Sequence, residues 1–210
     1  MRMKEQVTTV IEELKNLYPD ALCALHYNTD YELMIAVRLS AQCTDARVNK
    51  VTPAMFARFP TLESFATADV LEVEEHVRSC GFYHHKARDI VLACQMLISD
   101  FGGIVPDNMD DLLKLPGVGR KTANLLLGDI YKQPAVVCDT HCIRICGKIG
   151  FSKGKDPAKV EQQLWKVLPK AETSDFCHRI VLHGRAVCTA RSPKCTECTL
   201  APFCKEFSGK

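Results

Sequence analysis

Long apolar runs are missing from this 210-residue chain. No stretch approaches the roughly 18 continuous apolar residues that cross a bilayer, so no membrane partner is expected. The N-terminus, Met1-Arg2-Met3-Lys4-Glu5-Gln6, enters an amphipathic pattern without an apolar signal region, which predicts an unprocessed intracellular protein. Aromatic residues make up only 7% of the chain, too few to suggest base-stacking platforms. Two-residue alternation and Asn-Gly turns are also missing, so strand hairpins are not expected and the fold class is all-α. There is no internal repeat, low-complexity tract or long linker, so any two domains must pack closely. With 47% apolar residues the chain is not disordered and has material for a proper core.

Cysteine, by contrast, is abundant, at twelve residues. Eight of them (Cys23, Cys43, Cys80, Cys94, Cys138, Cys142, Cys146, Cys177) are scattered among apolar helical positions and read as free thiols in a reducing compartment. The other four, Cys188, Cys195, Cys198 and Cys204, fall within 17 residues as C-x6-C-x2-C-x5-C. Only Cys195 and Cys198 form a short knuckle of the zinc type, and the wider spans suit a [4Fe–4S] cluster better; spacing alone leaves the metal open. Arg191 and Lys194 lie between the first two of these cysteines, so a bound metal would hold a basic loop in fixed shape for contact with DNA.

Apolar residues at helical spacing predict a helix over Lys4–Tyr18 and a largely apolar central helix over Tyr31–Gln42. Further helices are predicted over Asp45–Phe59, Asp69–Cys80, His84–Phe101, Asp156–Leu168 and Ser174–Val187. Between them, a short helix over Met109–Leu115 is broken by Pro116 and followed by a second over Lys121–Tyr131. The connecting Gly117-Val118-Gly119-Arg120 then makes a helix-hairpin-helix. Both glycines can take positive φ and leave backbone N–H groups bare near a positive helix end, which suits a phosphate. Between Lys114 and Lys155 eight Lys or Arg, Arg144 among them, face two Asp; this leaves +6 locally in a chain of net charge +2. That is the footprint of a nucleic-acid backbone, although charge runs are often plain solvated surface.

Lys121 stands one turn into the second helix. There the macrodipole and a partly buried setting would lower its pKa, and a neutral amine forms Schiff bases with sugar carbonyl carbons. A solvated lysine beside phosphate is the competing reading. Asp139 follows Val136-Val137-Cys138, an expensive place for a charge unless it caps a helix, is paired, or works in a site. A capping carboxylate can still stabilise a cationic sugar. His141 reads as a hydrogen-bonded structural residue.

Taken in order, Leu39-Ser40-Ala41-Gln42, Leu115-Pro116-Gly117-Val118-Gly119-Arg120-Lys121, Val137-Cys138-Asp139-Thr140-His141 and the four cysteines make the chain resemble the endonuclease III family of helix-hairpin-helix, iron–sulfur DNA glycosylases. The resemblance implies two helical domains with a cleft between them. One is a six-helix barrel over 22–133 bearing the hairpin, and the other joins 1–21 to 134–210 with a [4Fe–4S] cluster loop at 188–204. It implies a bifunctional glycosylase and abasic-site lyase that removes oxidised pyrimidines through a Schiff base at Lys121, with Asp139 as the catalytic carboxylate, and nicks the strand by β-elimination. It makes Cys188, Cys195, Cys198 and Cys204 the cluster ligands. Gln42 would fill the gap left by the extruded nucleotide. Phe82 stands where an aliphatic wedge is usual, so the wedge here would be aromatic. The partner implied is double-stranded DNA with a damaged base or abasic site, met by a monomer in the bacterial cytoplasm, associated with the nucleoid. The related adenine glycosylases typically have serine where Lys121 stands. Outside glycosylases, a non-catalytic DNA binder would leave Asp139 and the lysine at the helix start unexplained, and a zinc-ribbon adaptor would be colourless where an iron–sulfur protein is straw-brown.

Overall fold

The computed structural model describes residues 3–207, and no strand occurs among them. Eleven α-helices are present among the described residues. They fall into two compact units. One is Cys23–Tyr131; the other unites the N-terminal helix with everything from Lys132 on.

The Cys23–Tyr131 unit is built around α2 (Asp30–Ser40), whose Leu33, Met34, Ile35, Ala36, Val37 and Leu39 are all buried. A helix apolar all round must lie inside its neighbours. Those neighbours are α3 (Asp45–Arg58), α6 (Tyr83–Phe101) and α8 (Arg120–Asp129). Thr29 starts α2 with a capping box in which its side chain takes the Glu32 N–H and Glu32 reaches back to the Thr29 N–H. The short α4 (Leu62–Ala66) and α5 (Val70–Val77) pack on α6. Sequence periodicity missed α4 because five residues are too few to show a period; its signal was the Thr61–Ser64 cap instead. Phe65 joins them to α2 and α3 through edge contacts with Tyr31 and Phe56 and a tilted contact with Phe59. The unit is completed by α7 (Met109–Leu112) against α8.

In the second unit α1 (Met3–Leu17) buries Val7, Val10, Ile11 and Leu14 against α10 (Pro157–Val167) and α11 (Thr173–Ala186), and α11 also packs on α9 (Thr140–Ile149). The extended link before α9 is tied down where Ala135 N–H donates to the buried Thr173 hydroxyl. The scattered cysteines behave as small hydrophobes: all are free, six of the eight are buried, and burial pushes the Cys94 thiol up to about 12.

Several predicted boundaries shift: the helix expected over Met109–Leu115 closes at Leu112, and that expected over Lys121–Tyr131 spans Arg120–Asp129. The run over Asp69–Cys80 ends as an α-helix at Val77 and tightens into a 3-10 turn over Arg78–Cys80. Helix α2 stops at Ser40, which leaves Gln42 outside it with φ 54°.

Because Ile35 is fully buried in the central helix, Ile35→Ala is expected to lower unfolding free energy by about 2–5 kcal/mol in a denaturant titration. A loss below about 1 kcal/mol would mean that α2 is not the unit's core.

Candidate nucleic-acid interface and metal centre

The hairpin is a short loop pinned from beneath. Leu115 and Val118 are buried, and the Val118 N–H donates to the Leu115 carbonyl at 3.1 Å. Val118, expected among the DNA contacts, is therefore an anchor: its side chain is inside and its amide is already used. Gly117 takes φ +75°, and a Cβ there would lie 2.4 Å from Arg38 Nε and 2.9 Å from Asp89 Oδ2. Arg38 donates through Nε and Nη2 to Asp89 Oδ2 at 2.8 and 2.6 Å, linking α2 to α6. The hairpin thus rests its backbone directly on an ion pair, and only glycine permits both the conformation and the approach.

Gly119 departs from expectation. Its φ is −100° and its ψ 176°, an extended N-cap to α8 with open space where a Cβ would stand. Its contribution is an absence of cover: α8 has no side-chain cap, and the Gly117 and Gly119 N–H groups meet no acceptor among the described residues. Uncapped amides at a positive helix end attract anions. Arg120 and Lys121 are its first two helical residues, both exposed. The partly buried setting predicted for Lys121 is thus not found in the free chain, because α8 presents its N-terminus to solvent.

Gln42 and Phe82 share an uncommon property. Both are exposed and both lie in the left-handed region, with φ 54° and 47°. For a residue other than glycine this costs about 1–2 kcal/mol, and such strain gathers where function needs it. Phe82 is 64% exposed, a large ring held in water.

In the other unit, Asp139 is the N-cap of α9: its Oδ1 accepts the Cys142 N–H at 2.7 Å. No group among the described residues donates to its other oxygen. His141 packs against Gly184, and its Nδ1 lies 3.2 Å from Arg144 Nη2. Arg144, expected on DNA, is half-buried, and its Nη2 donates to the Cys188 carbonyl at 2.6 Å. It braces the cysteine loop from within. Charge counting also overstated the basic surface, since Lys114 pairs with Asp111 and Lys148 with Glu206, both outside the stretch counted.

Cys188, Cys195, Cys198 and Cys204 line one cavity with Lys148, Lys194 and Phe207. The loop is wound by backbone bonds, Lys194 to Val187 at 3.0 Å and Cys204 to Ala201 at 3.0 Å, so four thiols converge without a disulfide. Burial, and then the neighbouring Cys188, Cys204 and Cys195, pushes the Cys198 thiol up. Mutually opposed thiolates are what a cationic centre relieves. Among the described residues no group of three or more metal-binding side chains is placed to hold a single ion; the four cysteines instead line a shared cavity. His183 was not anticipated. It is buried, with Nε2 3.4 Å from Cys198 Sγ and Nδ1 3.4 Å from the Tyr18 hydroxyl. Its signal in the sequence was a histidine on the apolar stripe of Phe176 and Ile180. Arg191 and Lys194 are exposed on the same loop.

The model of the HhH-GPD superfamily of base excision DNA repair proteins matches residues 35–170, a span that contains the hairpin, Lys121 and Asp139. The class is therefore that of helix-hairpin-helix base excision repair proteins. The iron–sulfur binding domain of endonuclease III matches residues 188–204. Endonuclease III of Synechocystis sp. is 46% identical over 96% of this chain and 92% of its own length, and that of Bacillus subtilis 39% identical over 96% and 93%. A solved structure of a trapped endonuclease III–DNA covalent intermediate superposes with a TM-score of 0.93 at 42% identity, covering 100% of this chain and 99% of that one. The chain belongs to the endonuclease III family, a DNA glycosylase and abasic-site lyase of base excision repair whose cofactor is a [4Fe–4S] cluster.

The two hairpin glycines are expected to separate. Gly117→Ala must accept a left-handed backbone and displace the Arg38–Asp89 pair, so it should lose more than about 1–2 kcal/mol of stability. Gly119→Ala should keep the stability of the unaltered protein within roughly 0.5 kcal/mol, while weakening binding to duplex DNA. Equal losses in thermal unfolding would refute the distinction.

Proposed function

We propose that Lys121 is the nucleophile and Asp139 the catalytic carboxylate of a glycosylase and lyase acting on oxidised pyrimidines in double-stranded DNA. The reading assigns 22–133 as the six-helix barrel domain and 1–21 with 134–210 as the cluster domain. It takes the enzyme to act as a monomer in the bacterial cytoplasm, at the nucleoid. The observation that carries it is a lysine in the first turn of an uncapped helix whose hairpin glycine is seated on an ion pair: an amine held rigidly where a phosphate backbone would dock.

In this reading the Gly117 and Gly119 amides and Arg120 hold the backbone and contribute register rather than sequence preference. Arg191 and Lys194 add charge from the cluster loop. A damaged pyrimidine is extruded, at a cost smallest for weakly paired lesions, and Gln42 and Phe82 occupy the space left. The Lys121 amine forms a bond to C1′ while the C1′–N bond breaks and the base departs with that electron pair. Asp139 stabilises the positive charge on the sugar and takes up the amine's proton. After ring opening a C2′ proton is lost from the Schiff base and the C3′–O bond breaks, releasing the 3′ phosphate. The free protein leaves Lys121 in water, so only the bound duplex brings a sugar to it. That exposure also favours a second reading, in which Lys121 is only a phosphate contact. A bound cluster would supply rigidity: held by Cys188, Cys195, Cys198 and Cys204, it fixes the loop that Arg144 braces.

Borohydride reduction on a thymine glycol duplex decides between the two readings. A covalent protein–DNA adduct, absent in Lys121→Ala, is expected; no adduct, or an equal one in the variant, leaves a backbone contact only. Asp139→Asn keeps an oxygen to cap Cys142, so its fold should survive while base removal slows by roughly 10²-fold or more. A normal rate with normal stability would remove Asp139 from the chemistry. Purified protein should be straw-brown, and Cys198→Ala should be colourless with a lower unfolding temperature. A coloured variant would take Cys198 out of the ligand set.

A further inference from the structure

Lysine 86 is buried in α6 at 1% exposure. Its Nζ donates to the Leu39 carbonyl at 2.8 Å and to the Cys80 carbonyl at 2.9 Å. Both acceptors end a helical segment, Leu39 in the last turn of α2 and Cys80 at the close of the 3-10 turn, where carbonyls lack partners of their own and favour a cation. Three residues past Leu39 is Gln42, and two past Cys80 is Phe82, two of the three non-glycine residues with left-handed backbones among the described residues, Lys132 being the other. The Lys86 backbone N–H also donates to the Phe82 carbonyl at 3.1 Å. One side chain therefore fastens the loop of Gln42 to the loop of Phe82, and its own main chain holds the second loop again.

We propose that Lys86 is a positioning residue that keeps Gln42 and Phe82 in register with each other for insertion into the duplex. Strained backbone persists only where its surroundings over-determine it, and this amine supplies that constraint to both strained residues at once. Its environment fits the role. Arg38 and the Cys43 and Cys80 thiols are the groups that act on it, and burial lowers its pKa from the ordinary lysine value. The clamp does not depend on the charge, because a neutral amine retains the two N–H bonds that the two carbonyls require. An apolar side chain of equal length would fill the same space and leave both carbonyls unpaired.

The proposal rests on the reading of Gln42 and Phe82 as inserting side chains, and the test separates the two. In full-length, cluster-loaded protein, single-turnover base removal from a thymine glycol duplex is measured beside cleavage of a duplex with a preformed abasic site. Lys86→Met should slow base removal by about 10²-fold, the scale of a misplacement near 1 Å, with a clearly smaller loss at the abasic site, where no base is extruded. Lys86→Gln, whose amide keeps two N–H donors on a shorter arm, should fall between. In a Gln42→Ala, Phe82→Ala background Lys86→Met should cost little more, because the side chains it aligns are gone. Three results would overturn the proposal: normal base removal in Lys86→Met, equal losses on both substrates with the full cost repeated in the double-alanine background, or failure of both Lys86 variants to fold. If the double-alanine protein itself removes the base normally, the insertion reading falls and the positioning role with it. Trapping at Lys121 would stand apart from that outcome.

Discussion

The contact on which the hairpin side of the Cys23–Tyr131 unit depends is the backbone of Gly117 lying on the Arg38–Asp89 pair. Arg38 belongs to α2 and Asp89 to α6, so this one ion pair joins the two helices while its upper surface supports the hairpin. Both side chains are mostly covered, at 19% and 24% exposure, and a pair so placed loses more when one partner is removed than it adds when both are present. Its value lies in location. It sets the height and tilt of the hairpin, and with them the direction in which the bare amides of α8 point. Lys86 sits one turn before Asp89 on the same helix and performs a parallel task for the Gln42 and Phe82 loops. Polar groups between α2 and α6 thus connect three surface elements to a rigid centre made of Leu33, Ile35, Leu39, Ile90 and Leu97.

The cysteine loop follows a related logic with less core to draw on. Over 188–204 only Leu200 and Ala201 are buried, so apolar burial alone cannot define its shape. Its form comes from backbone turns, from the Arg144 guanidinium on the Cys188 carbonyl, and from His183 beneath Cys198. A [4Fe–4S] cluster, held as proposed by the four thiolates, would add what a core would otherwise provide. Under the proposed DNA contact, Arg191 and Lys194 would stand on a frame already fixed, so less ordering entropy would be lost on binding.

Most helices were legible because their apolar residues recur at the period of a helix, and their ends because caps have chemical signatures. Asp156-Pro157 and the glycines at 102 and 103 are examples. The hairpin was legible because glycine and proline have few reasons to occur together so closely. The same evidence misjudged particulars. Gly119 was read as a second positive-φ glycine because residue type cannot distinguish an uncovered extended amide from a left-handed one. Arg144 was counted as free positive charge because its partner, a backbone carbonyl at residue 188, is 44 positions away. Lys86 drew no attention because a lysine in a helix normally reaches water.

The sequence by itself determined the helical class, the position of the hairpin, the lysine at the start of α8, the capping carboxylate at Asp139 and the four-thiol loop. Each of these is local, written in the spacing of neighbouring residues and in the chemistry of one side chain with its own backbone. Only the tertiary structure decided that Lys121 is exposed, that Val118 is an anchor, that Arg144 is turned inward, and that Gln42 and Phe82 share one buried clamp. Those are contacts between residues far apart in the chain, chosen by which carbonyls and charges the packed helices leave without water.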